Sequence, residues 1–187
     1  MNHWTNLTRV APATTPLLDL DLTKTYIHAS DDDDDVVAGL IEAATAFIES
    51  PDGIGVSLIA SQWRASFDTL PSSLPLALTP VMSVDQVTVL TDAGVVEIDP
   101  ETIHLANAQT PAMVCFLGDR PTPKRLPGSV TVTFTAGYGD DPSSVPADLR
   151  HAALWLVAAW FENRGDDASK AMIPATVERV LNKYRRF

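Results

Sequence analysis

Residues 129–164 read SVTVTFTAGYGDDPSSVPADLRHAALWLVAAWFENR, and two periods meet in that stretch. Val130, Val132, Phe134 and Ala136 alternate with Ser129, Thr131, Thr133 and Thr135. An alternation of two puts every other side chain on one face, so this is a half-buried strand. Gly137 and Gly139 end it in a turn. Pro146 then suits a first helical turn, and Asp148 sits well against the positive end of the helix dipole. Leu149, Ala153, Leu156 and Trp160 repeat at helical spacing, while Leu154, Trp155, Ala158 and Phe161 occupy much of the remaining circumference. A helix over 146–164 that is apolar nearly all round has to be covered on more than one side. A neighbouring subunit is one source of that cover. Strand and helix side by side make the fold class α+β.

Upstream, Val84–Leu90, Asp92-Ala93-Gly94 and Val95–Ile98 read as a hairpin. Ile103–Leu105 and Met113–Leu117 are further short strands, and Ile59, Trp63, Ala65 and Phe67 alternate with polar neighbours as another. Pro71, Pro75 and Pro80 bracket a loop, and residues 118–128, rich in proline and glycine, form a second. An antiparallel sheet or sandwich is therefore expected near 57–136, inserted into a helical core. That core begins with a short helix over Leu20–His28. A second helix near 33–50 follows, with Val37, Leu40, Ile41, Ala44, Phe47 and Ile48 on one face and Pro51 as its stop. Beyond Gly165, a plausible helix stop, a polar linker leads to a short amphipathic C-terminal helix with Val180, Leu181 and Tyr184. The expected organisation is an extended arm over 1–16, one α+β domain over 17–165, and a linker with a terminal segment over 166–187.

Composition narrows the function. The chain has 187 residues, 45% of them apolar, enough for a real core and too many for wholesale disorder. Acidic residues number 24 against 13 basic, a formal charge of −11, which argues against a general affinity for nucleic acid. The longest apolar run, Ala152–Phe161, falls well short of the roughly twenty residues a membrane-spanning helix needs. The first ten residues lack the apolar stretch of a signal peptide, so a soluble protein is expected. Cys115 is the single cysteine, so no internal disulfide or thiolate zinc cluster can form. In the run Met113–Leu117 it reads as a buried small hydrophobe, and a reducing compartment is the default.

Catalytic signals are weak. Tyr138-Gly139-Asp140-Asp141 spells the metal-binding turn of RNA-dependent polymerases, but four residues are little, and the chain has neither the length nor the basic channels of such an enzyme. His3, His28, His104 and His151 lie far apart and form no metal-ligand spacing. Gly53-Ile54-Gly55 lacks the third glycine and the lysine of a phosphate loop. No nucleophile elbow is present. The run Asp31–Asp35 follows Ser30 at the start of a helix, where negative charge and side-chain oxygens serve the free N–H groups; a calcium loop would need a glycine and a further ligand at other offsets. An acidic hydrolase working through Asp33, Asp140 or Asp141 stays as the contrasting hypothesis. No catalytic residue, cofactor or metal is assigned.

The order of elements carries more. The acidic turn and amphipathic helix (Asp31–Glu49) lead into the strand with Gln62-Trp63. The hairpin with Asp92-Ala93-Gly94 comes next. The strand ending Thr135-Ala136-Gly137-Tyr138-Gly139, the turn Val145-Pro146-Ala147-Asp148-Leu149, and the helix ending Trp160-Phe161-Glu162-Asn163-Arg164 complete the series. This series resembles the head–tail connector (adaptor) proteins of tailed bacteriophages and gene transfer agents, over roughly residues 17–187. The resemblance implies a non-enzymatic virion component of the neck, assembled in the cytoplasm of a bacterial host. It implies a homo-oligomeric ring, usually twelvefold, under the portal protein. The ring gives a stopper or other neck protein its platform, and DNA passes through its lumen without sequence-specific binding. Leu149, Leu154, Trp155, Leu156, Trp160 and Phe161 are then core or subunit-interface residues of the long helix. Arg179, Lys183, Tyr184, Arg185, Arg186 and Phe187 are candidates for portal contact; packing within the subunit, solvation and contact with DNA phosphates are the alternatives for that basic end. A stopper or tail terminator is the nearest competing role, but those are mostly β.

Overall fold

The computed structural model describes residues 5–49, 54–163 and 173–185. The chain forms two compact units. One comprises the residues up to Ala13 together with Ala60–Tyr138, and the other Thr14–Ile59 together with the residues from Gly139 onward. The β region is thus an insertion between the parts of a helical unit, in agreement with the α+β class.

The β unit holds eight strands among the described residues: β1 (Asn6–Ala11), β2 (Ser61–Phe67), β3 (Ser73–Leu76), β4 (Val81–Thr91), β5 (Gly94–Glu97), β6 (Ile103–Ala106), β7 (Ala112–Phe116) and β8 (Val130–Ala136). Five form a sheet in the order β1-β2-β8-β4-β5, and three form a second in the order β3-β7-β6. Every pairing is antiparallel. The alternation in β8 sets the register: Phe134 lies opposite Trp63 of β2 and Val84 of β4, Val132 opposite Ala65 and Val87, and Val130 opposite Phe67 and Val89. These rows meet Leu74, Leu76, Val114 and Phe116 of the smaller sheet in one apolar core. Burying the valine, leucine and phenylalanine side chains of this core stabilises the unit by about 1.5–3 kcal/mol each.

Three sequence readings change here. The loop expected between Pro71 and Pro80 contains β3, with Leu74 and Leu76 fully buried. Pro75 is tolerated because β3 is an edge strand, where a missing N–H breaks no ladder. Cys115 is half-buried rather than buried, because Ala112, Val114 and Phe116 take the inner face of β7. Within the expected arm, Asn6–Ala11 pairs along β2, and the Arg9 guanidinium lies 4.5 Å from the centre of the Trp63 ring. That cation–π contact fixes the strand to the sheet edge.

The helical unit contains α1 (Leu20–Ile27), α2 (Asp34–Glu49), α3 (Ala147–Glu162) and α4 (Ala175–Tyr184). Asp19 caps α1, its carboxylate accepting from Leu22 N at 2.9 Å. Before α2, residues Asp31–Asp33 form a turn of 3₁₀ helix, and Asp33 accepts from Ser30 N at 3.1 Å and Ser30 Oγ at 2.7 Å. The acidic run is therefore a helix start, as its position predicts. Val37, Ile41, Ala44 and Ile48 form the buried face of α2, whereas Phe47 at its margin stays 37% exposed. Glu49, itself buried, accepts from Leu58 N at 2.8 Å and ties the end of α2 to the following chain. The expected stops at Pro51 and Gly165 lie outside the described residues. At the end of α3, Asn163 serves as the cap, its side-chain amide donating to Ala159 O at 2.6 Å.

Candidate assembly surface

The surroundings of α3 explain its composition. Helices α1, α2 and α4 all pack against it. They cover the arc carrying Leu149, Ala152, Ala153, Leu156, Val157 and Phe161, all buried. Much of the cover that an all-apolar helix needs thus comes from the same chain. A second stripe is left open: Leu154, Trp155 and Ala158 are half-buried, and Ala147 and His151 are exposed. His151 and Trp155 face each other at 6.0 Å between ring centres. Trp160 is also half-buried, edge-on to Phe47 at 6.1 Å, and its indole N–H is buried without an acceptor. The six helix residues named from sequence therefore divide. Leu149, Leu156 and Phe161 are core. Leu154 and Trp155 lie on the open stripe, and Trp160 lies at the margin of the core.

Where that stripe meets α1, a cleft of about 320 Å³ opens. Leu17, Leu18 and Leu22 line one side, and Ala147, His151 and Leu154 the other. Leu22, at the rim of the cleft, is 73% exposed. Arg150 also lines the cleft, its Nε donating to Val145 O at 3.2 Å. Sequence reasoning missed the cleft. The apolar spacing of α1 is too short to show which side of it lies open.

Helix α4 docks on α3 through Val177 and Leu181, both buried. At its end the Tyr184 hydroxyl donates to Asp148 Oδ1 at 2.7 Å, and Lys183 Nζ lies 3.7 Å from Asp148 Oδ2. Two of the residues named for partner contact, Lys183 and Tyr184, are thus engaged with the first turn of α3. Arg179 and Arg185 are exposed. Arg186 and Phe187 lie outside the described residues.

The remaining charged groups serve local structure. Lys24, its side chain only 11% exposed, donates to Asp34 and, at 2.9 Å, to Asp31, clasping α1 to the start of α2. The hydrogen bonds to Asp34 and Asp31 hold the Lys24 ammonium above its ordinary range, and the bond from Lys24 holds the Asp31 carboxyl below its own. Asp141, one of the pair in the Tyr138–Asp141 turn, accepts from Ser143 N at 2.7 Å. Hydrogen bonding to Ser143, with Arg150 nearby, holds its carboxyl low. Asp33 and Asp141 are therefore helix-start groups here. Among the described residues no three histidine, cysteine or acidic side chains are grouped to hold a metal ion, and no helix is long and apolar enough to cross a membrane.

Comparison with known proteins agrees with this architecture. The sequence model of a family described as "Head completion protein" matches residues 17–187. The chain is similar to one in the solved "Neck of empty GTA particle computed with C6 symmetry", with a TM-score of 0.79 and 24% identity, over 98% of this chain and 96% of that one. A chain in the "Virion of native gene transfer agent (GTA) particle" gives a TM-score of 0.79 at 23% identity, covering 97% of this chain and 95% of that one. A third, in the "Neck of native GTA particle computed with C12 symmetry", gives 0.76 at 24% identity, covering 98% and 96%. At these identities the likeness establishes the fold. No curated protein matches the chain.

Proposed function

The chain belongs to the head completion protein family, and on that premise we propose that it is a structural part of a virion neck, joining a DNA-filled head to a tail. The observation that carries this reading is the family match over residues 17–187. The likeness to neck chains of gene transfer agent particles, nearly end to end in both partners, supports it. The role is one of assembly, not catalysis. Copies of the chain form a ring beneath the portal protein and present a platform to the next neck protein, and DNA passes through the lumen.

Three properties support this reading. The formal charge of −11 suits a channel wall that DNA slides past without adhering. The half-open stripe of α3, with Trp155 on it, offers apolar area to a neighbour. Arg179 on α4 and Arg185 just beyond it are both exposed, and arginine is enriched where protein surfaces meet. In this reading these two residues, together with Arg186 and Phe187 of the sequence, make the portal contact.

Quantitative mass spectrometry of purified, nuclease-treated particles tests the proposal. A copy number equal to that of the portal is the expected result. Absence from particles, with the chain abundant in the lysate, would overturn it.

A further inference from the structure

The two most exposed large apolar side chains among the described residues lie on different surfaces: Leu22, 73% exposed, at the α1–α3 cleft, and Val95, 70% exposed, on strand β5. Neighbouring residues of a strand point to opposite faces, yet Val96 is also exposed, at 40%. Both faces of β5 are therefore open. Its outer edge is open too, because β5 pairs only with β4. Proteins usually blunt such an edge with lysine, proline or a bulge. Gly94–Glu97 contains none of these, and the β4–β5 ladder shows no register shift. The hairpin end is thus an apolar projection open on three sides.

The hairpin end is acidic, with exposed Asp92 and Glu97 beside its valines. The cleft offers it one cation, Arg150, with the His151 ring beside it, and its carboxylate, Asp19, is turned to Leu22 N at the start of α1. The cleft volume, about 320 Å³, suits a pair of small branched side chains and is narrow for a helix.

We propose that the α1–α3 cleft receives the β4–β5 hairpin of a second copy of this chain. Val95 packs on Leu22 and Leu154, and Asp92 and Glu97 lie beside His151 and Arg150. The two patches differ, so the contact is heterologous: each copy offers a cleft to one neighbour and a hairpin to the other. Contacts of that kind repeat from copy to copy and close into a ring when the rotation permits. This inference rests on the ring reading above and names the surfaces that build it.

The test is a charge exchange in the full-length chain. Leu22→Glu, Val95→Lys and the double variant are compared with the wild type by native mass spectrometry and sedimentation over a concentration series. Both positions are exposed, so each variant is expected to melt with the wild type, and this is checked first. The wild type is expected to self-associate, and each single variant to do so about tenfold more weakly, the effect of losing one buried apolar side chain. The double variant is expected to recover, since glutamate then meets lysine across the contact. Single variants that associate like the wild type, a double variant no better than the singles, or a wild type monomeric throughout would each overturn the proposal. Failure of the ring reading is distinct: it would show as absence of the wild-type chain from particles. A Val95→Lys chain present in particles in equal number with the portal would refute this surface and leave the ring standing.

Discussion

The Tyr184 hydroxyl and the Asp148 carboxylate, 36 residues apart in sequence, are joined by a 2.7 Å hydrogen bond that fixes the end of α4 to the start of α3. Asp148 also lies near the unpaired N–H groups of its own helix, so one carboxylate serves two structural ends.

Tyr184→Phe is expected to destabilise the chain by about 1 kcal/mol, the ordinary net worth of one hydrogen bond. Asp148→Ala is expected to cost about 1–2 kcal/mol, since it also removes a favourable charge from the first turn. The double variant is expected to cost less than the sum, and urea denaturation of all four proteins reads the coupling. Strict additivity would mean that the two groups do not interact in solution.

Trp160 joins a large ring at the margin of the core to an indole N–H buried without an acceptor. Trp160→Ala is expected to cost about 3 kcal/mol, near the low end for emptying an aromatic site because the side chain is only half-buried. Trp160→Phe keeps most of the packing on Phe47 and removes the unsatisfied donor, so a change within about 1 kcal/mol is expected. Melting temperatures of the two variants separate packing from polarity. Equal losses in both would show that the N–H has a partner in solution.

Much of this fold is legible from local pattern because its decisive elements have one wet face. The alternation in β8 and the position of the acidic run before α2 both report a boundary between core and water. Legibility fails where that boundary is missing. Asn6–Ala11 is almost wholly exposed, so its residues carry no period, and only β2 reveals it as a strand. Met113–Leu117 is apolar throughout, which hides the face on which Cys115 sits. In α3 the apolar circumference shows that cover is needed but not which arc α1, α2 and α4 supply. The pair Asp148–Tyr184 and the cleft beside Leu22 arise from helices meeting in space, and no spacing within either helix announces them.

The exposed Arg179 and Arg185 give a prediction about attachment. Arg179→Glu with Arg185→Glu is expected to leave folding unchanged, because both side chains are exposed and surface substitutions of this kind fall within about 0.5 kcal/mol. On the proposed portal contact, tail attachment to filled heads is expected to be lost, since two charges of that contact are reversed. Electron microscopy of particles made with the variant scores this directly. Normal numbers of tailed particles would overturn the proposed portal contact of these residues.

The clasp of Lys24 on Asp31 and Asp34 gives a pH dependence whose sign follows from the shifts. Asp31 is held below its ordinary value of 3.8, so its contribution is present above that pH and is lost as acid protonates it in the folded chain. Lys24 is held above its ordinary value of 10.5, so its contribution is complete below that pH and is lost as pH rises through the raised value. Between these limits Lys24 and Asp31 are both charged, and their pair adds no slope to stability across the neutral range. Lys24→Met keeps the length of the buried stem and removes the charge. Its melting temperature, followed from pH 3 to 11 beside that of the wild type, is expected to show the largest deficit across the plateau and a smaller one at the acid end. A deficit that persists undiminished at pH 3 would mean that the Lys24 stem, packed between α1 and α2, holds the helices together without the ion pair.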